Sequence, residues 1–189
     1  MIHTFHPCLL LLLWATTLQA QVQRAPNVQK YVAVDASTVV FSNALVYDGR
    51  GGSPIAGQNV TIENGLITKI EDSNKAKTPQ GAQVIDMTGK TLTPGFIMLH
   101  EHMFYPTLSD DFYNIGQMSH TFPKLYLAGG ATTIRTAGSI EPYSDLNLKR
   151  WVDEGRVVGP KIYATGPFIN RDTGAPFLVM DFTKTPEGA

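Results

Sequence analysis

An α/β fold in two parts is predicted for this chain. A small all-β unit occupies residues 38–93, and the first strand–helix units of a (β/α)8 TIM-type barrel occupy 94–189. Three observations predict it. Two short runs rich in Val, Ile and Thr flank Asn64-Gly65, a dipeptide that accepts positive φ at both centres of a type I′ hairpin. Beyond Pro94 the pattern becomes strand, helix, strand, helix, strand, the rhythm of parallel βαβ units with right-handed crossovers. No Gly-x-Gly-x-x-Gly follows any of these strands, which removes the main reason to prefer an open doubly wound sheet.

The elements follow in order. Residues 1–20 contain "CLLLLLWATTLQA", an apolar block of signal-peptide size and too short to span a bilayer. Cleavage after Ala20 predicts an exported chain, periplasmic or secreted, with no membrane association once the leader is gone. Cys8, His3 and His6 lie in that leader, so the mature chain would hold no cysteine and no thiolate ligand. Residues 21–37 read as an extended lead-in. "VVFSNALVYDG" is a strand ending on a turn, "QNVTIENGLITKIED" is the hairpin, and "QVIDMTGKTLTPGF" adds a strand, a Gly turn and an exit. Asn59-Val60-Thr61 matches a glycosylation acceptor, but it falls inside a strand pattern, which argues against a sugar there.

In the second part "GFIMLHEH" is a strand, and "SHTFPKLYLAGG" is a helix closed by its glycines. "ATTIRTAG" is a β-branched strand. "YSDLNLKRWVDEGR" is a helix with Leu148, Trp151 and Val152 on one face, Ser144 placed to cap its start and Gly155 its end. "PKIYATGP" is a third strand. A formal net charge of −1 with fifteen scattered Lys and Arg excludes the basic stripe of a nucleic-acid binder.

"PGFIMLHEHMFYP" carries the chemistry. Side chains at i and i+2 of a strand point the same way, so Phe96, Met98, His100 and His102 share one face, with Ile97, Leu99 and Glu101 on the other. If the Ile97 and Leu99 face packs on helices, the histidines point to the barrel axis at the strand's C-terminal end, where such barrels hold their sites. Two imidazoles a strand repeat apart can bind one divalent ion with bonds of about 2 Å, and a bound ion brings the pKa of its water toward 7.

The stretches "NALVYDGRGG", "VTIENGLITKIE", "VIDMTGKTLTPGFIMLHEH" and "GGATTIRTAG" resemble, in that order, the opening of the amidohydrolase superfamily, nearest its imidazolonepropionase-like and dipeptidase-like branch. The resemblance implies a small β-sandwich built from both chain ends beside a metal-bearing (β/α)8 barrel. It also implies hydrolysis of amide or other carbon–nitrogen bonds of a small molecule or short peptide. His100 and His102 match the family's first-strand metal ligands, for one or two divalent ions, zinc first. Met98 stands where relatives often have Asp. Later-strand ligands (a lysine, two histidines, an aspartate) are implied too. A full barrel takes about 250 residues, and only about ninety follow Pro94. The expectation is therefore an N-terminal part, inactive by itself, with no acid/base group in view.

Two further residues are candidates to line the pocket. Tyr105 is near enough to line it, and Arg135, ending the second strand, could touch substrate or serve as a structural ion partner. His120 reads as a surface histidine on the first helix, Lys184 as a loop lysine, and Asp110 and Asp111 as solvated loop residues. Two rival readings remain from sequence: a non-catalytic β-rich binding module with a weak His-x-His metal site, and a mononuclear metalloenzyme that recruits His120.

Overall fold

The computed structural model describes residues 23–109, 112–171 and 180–183. The leader (1–20), Asp110, Asp111 and Lys184 lie outside the described residues. Among the described residues, no helix is long and apolar enough to cross a membrane.

The chain opens with a short helix, α1 (Pro26–Gln29), where an extended lead-in was expected. Pro26 supplies the fixed φ that suits a first helical turn. The segment is tied to the second part of the chain: the Ala25 N–H donates to the Gly155 carbonyl at 2.9 Å, and the Asn27 amide donates to the Arg156 carbonyl at 3.4 Å.

Five strands make the first sheet: β1 (Thr38–Val46), β2 (Ile55–Glu63), β3 (Leu66–Asp72), β4 (Gln83–Asp86) and β5 (Thr91–Leu92), in the order β3-β2-β1-β4 with β5 also beside β1. The hairpin between β2 and β3 has Glu63 opposite Leu66. Asn64 and Gly65 sit at φ 50° and 80°, the positive angles their types permit. On β1 the ladder to β2 shifts between Phe41 and Ala44, and Asn43 takes φ 57° there. Its N–H donates to Oδ1 of Asn59 at 3.0 Å, and that asparagine is buried inside the sheet. Ala44, Val46 and Val60 form the core of this unit, with Phe41, Met87 and Leu92 against them. A sandwich needs a second packed layer. The described residues here form one sheet, and Leu66, Ile67 and Ile70 of β3 remain exposed.

The second part alternates as expected: β6 (Phe96–Glu101), α2 (Phe122–Ala128), β9 (Ala131–Thr136), α3 (Pro142–Asp153) and β10 (Lys161–Tyr163), with β6, β9 and β10 forming a parallel sheet ordered β10-β9-β6. Between β6 and α2 lies an antiparallel hairpin, β7 (Phe104–Ser109) with β8 (Phe112–Gln117), where only an aromatic loop was expected. A further parallel pair, β11 (Phe168–Arg171) and β12 (Met180–Thr183), completes the described elements.

The core of this part is Met103, Ala131, Ile134, Leu148 and Ile162, with Phe122, Tyr126, Val152 and Val157 packed on it. Gly129 caps α2, and Gly130 follows at φ 84°, the left-handed exit the sequence suggested. The start of α3 differs from expectation. Pro142 opens the helix with Glu141 as cap, so Ser144 falls inside the first turn and caps nothing.

One expectation fails on β6. Ile97 and Leu99 are 66% and 65% exposed, and Phe96 and Met98 are exposed as well, so the Ile97 and Leu99 face does not pack on helices. Among the described residues β6 pairs only with β9, while α2 and α3 lie over β9 and β10.

Candidate metal centre

The centre is built where β6 ends. Met98 pairs with Ile134 and Glu101 with Thr136, three steps on β6 against two on β9. One extra residue is thus accommodated across Leu99 and His100. Such a bulge re-aims the side chains at it, so strict alternation stops being a guide here. Arg135 spans the irregularity, its Nη1 donating to the Leu99 carbonyl at 3.3 Å.

His100 is exposed and His102, one residue past the strand, is half-buried. Their ring centroids are 5.4 Å apart with planes at 84°. That separation lets one ion be reached from both rings with bonds of about 2 Å. Among the described residues no group of three or more His, Cys, Asp or Glu side chains surrounds a common point. The donors present fit as two ligands of a larger set.

His102 is held from several sides. Tyr126 of α2 donates its hydroxyl to the His102 carbonyl at 2.9 Å. Burial, followed by the neighbouring Glu101 carboxylate, pushes the Tyr126 pKa up to about 12, so it stays a neutral donor. The Phe104 ring lies 4.8 Å from the imidazole and the Phe168 ring 6.2 Å. His102 Nδ1 is 3.4 Å from the Gly138 carbonyl. An acceptor on that nitrogen fixes the tautomer that leaves Nε2 free for a metal.

Gly138 itself is pinned. The Ala137 N–H donates to the Glu101 carbonyl at 2.9 Å and the Ser139 N–H to the Gly166 carbonyl at 3.1 Å. The Gly138 N–H donates to Thr165 Oγ1 at 2.9 Å, and the Thr165 N–H to Thr136 Oγ1 at 2.8 Å. Gly138 adopts φ 90°, and a Cβ there would meet the Phe168 ring at 2.3 Å, so glycine is required on both counts.

Of the residues singled out from sequence, His100 and His102 are brought together. Tyr105 is exposed on β7, and the aromatic ring against His102 belongs to Phe104. Arg135 is turned to the backbone of β6. His120 is exposed in the turn before α2, not within the helix. Phe104 was findable, since it extends the even-numbered series from Phe96 to His102. Tyr126 and Gly138 were not, because the crossovers bring them there.

No family model matches the chain. Relatives do. An enamidase from Eubacterium barkeri is 30% identical over 105 residues, 55% of this chain and 26% of that protein. A dihydroorotase from Trichlorobacter lovleyi is 33% identical over 107 residues, 54% of this chain and 24% of that protein. A solved Bifidobacterium longum chain, assigned as a prolidase, superposes with a TM-score of 0.66 at 26% identity, covering 80% of this chain and 36% of that one. The chain thus spans about a quarter of the length of the two curated relatives. In motif order, fold and relatives alike, the chain is similar to part of the proteins of the amidohydrolase superfamily.

Proposed function

We propose that this chain contributes to a metal-dependent hydrolase of carbon–nitrogen bonds, with His100 and His102 as two ligands of a divalent ion. The observation that carries the reading is the 5.4 Å approach of the two imidazoles at the C-terminal end of a parallel strand. Zinc suits nitrogen donors, and a zinc ion in such a site acts as a Lewis acid and lowers the pKa of a coordinated water. The chain's own residues do the positioning. The Gly138 carbonyl accepts the Nδ1 proton of His102, Tyr126 holds its backbone, and Phe104 shields one side of the ring from water.

The substrate class we propose is a small amide or dipeptide-like molecule, the class suggested by a relative assigned as a prolidase. The general acid/base lies outside the described residues, and the isolated chain is proposed to be inactive. Export accompanies this reading, on the leader-like segment before Gln21. Cobalt or zinc titration of the purified chain tests the ligand assignment. One ion should bind, and the double substitution His100→Gln, His102→Gln should abolish it. Equal binding by the double variant would remove the assignment.

A further inference from the structure

The tip of the β2–β3 hairpin combines an electrophile, an unhindered nucleophile and the room to bring them together. Asn64-Gly65 is the one Asn-Gly dipeptide in the sequence. Both residues are exposed, and a Cβ built on Gly65 would meet no atom within 4 Å. The backbone nitrogen that follows an asparagine can attack the asparagine's own side-chain amide and close a five-membered ring. A side chain on the following residue hinders that approach, and glycine has none. The bond that closes a two-residue loop joins its flanking residues, here Glu63 and Leu66, so it leaves the Gly65 nitrogen out.

The backbone of this turn permits the reaction without unfolding. Asn64 at φ 50° and Gly65 at φ 80° form the type I′ arrangement. Ring closure swings the Gly65 nitrogen toward the Asn64 side chain by rotation about ψ of Asn64. Flipping the peptide plane between the two residues turns a type I′ loop into a type II′ loop. That loop keeps positive φ at its first residue and joins hairpin strands equally well. Glycine accepts the reversed φ that the flip imposes on the second residue. The Asn64 N–H, which donates to the Ser37 carbonyl at 2.7 Å, lies on the other side of the rotating bond and keeps its partner. Two other asparagines of the same sheet lack these conditions. Asn59 is 7% exposed, its Oδ1 accepts from the Asn43 N–H, and buried, β-branched Val60 follows it. Asn43 precedes buried Ala44, and its side-chain amide donates to Thr88 Oγ1 at 2.9 Å.

We infer that Asn64 is a site of spontaneous deamidation in the folded chain. The Gly65 nitrogen bonds to Asn64 Cγ and gives up its proton, and the side-chain nitrogen leaves with that proton as ammonia. Water then opens the succinimide at either carbonyl. One opening leaves aspartate, and the other leaves isoaspartate, with the backbone routed through Cβ. Water is the sole co-reactant, and the chemistry needs no metal, so it stands apart from the metal centre proposed above. Either product places a new carboxylate next to Glu63, on the cleft that Arg24 and Asp35 also line. Isoaspartate also lengthens the loop by one backbone atom.

Ageing the purified chain in 18O-labelled water tests this, beside a sample kept unfolded in urea. Trypsin digestion in ordinary water and mass spectrometry follow. Asn59 and Asn64 share the tryptic peptide 51–69, and Asn43 lies on the peptide 31–50. In the folded sample the peptide 51–69 should lose one ammonia and gain one labelled water, with fragment ions placing the change at Asn64. Two isomeric products should elute separately, and a peptide short of one ammonia is the succinimide and supports the same route. Asn43 and Asn59 should stay intact over the same interval, and Asn64→Gln should abolish the change. An Asn64 still intact in the folded sample once the unfolded sample has converted would overturn the inference. Equal conversion of Asn59 and Asn64, or aspartate with no isoaspartate, would overturn it too.

Discussion

β9 and β6 are neighbours in one parallel sheet, built from similar apolar and β-branched residues, and they meet opposite surroundings. β9 has a strand on each side and helices over it, and Ile134 at its middle is 0% exposed. Among the described residues β6 has one partner strand, and Ile97, opposite Thr133 in that pairing, is 66% exposed. Yet β6 carries the histidine pair. The lesson is that these histidines do not owe their placement to the packing of the strand that leads to them. They owe it to the bulge at Leu99 and His100, the Arg135 clamp, the Tyr126 hydroxyl on the His102 carbonyl, and buried Met103 just beyond.

The contrast can be broken at its strongest point by matched truncations. Ile134→Ala should cost about 2–5 kcal/mol, the range for emptying a buried isoleucine site. Ile97→Ala should stay within about 0.5 kcal/mol, as exposed substitutions do. Urea denaturation of both variants reads the difference directly, and equal losses would dissolve the contrast. A smaller effect sharpens the account of the histidine. Tyr126→Phe removes one hydrogen bond to the His102 carbonyl and should cost about 1 kcal/mol, with a shift in the His102 ring signals that Ile97→Ala does not cause.

The smallest expected effect concerns the far side of the same sheet. Asp153 of α3 accepts from Lys149 at 2.6 Å and from Lys161 of β10 at 2.7 Å, and these bonds hold its carboxyl below the usual carboxylate range. A depressed folded-state pKa stabilises above the ordinary carboxylate pKa, and that contribution is lost as pH falls through the folded value. Asp153→Asn should therefore flatten the acid limb of stability slightly and leave low-pH stability unchanged. The group is exposed and screened, so the change is small beside that of Ile134→Ala.

Much of this was legible in the residues. Asn64-Gly65 announced its hairpin because few other pairs tolerate two positive φ angles. "ATTIRTAG" and the stretch around Leu148 and Trp151 announced β9 and α3, since their periodicities match one buried face each. The β7–β8 hairpin stayed hidden because Asp110-Asp111 between its strands carries no Asn-Gly-like turn signal, and Pro106 argues against a strand. The bulge in β6 was invisible for a different reason: it is a property of register against β9, not of the residues on β6. The site divides in the same way. His-x-His is a local pattern and could be read. The contact of Gly138 with His102 spans 36 residues and exists only once the crossover is folded.

That locality of the pair has a thermodynamic consequence. His100 and His102 are separated by one residue, so they remain close neighbours even when the chain is unfolded. An ion that both can reach in the folded sheet is also within reach of both in the random chain, and a ligand shared by the two states stabilises only through the difference in its affinities. The folded state's advantage is then the fixed tautomer and orientation of His102, not the bringing together of distant ligands. On the proposed metal reading, metal and fold would be weakly coupled: metal would raise the melting temperature much less than its affinity alone suggests.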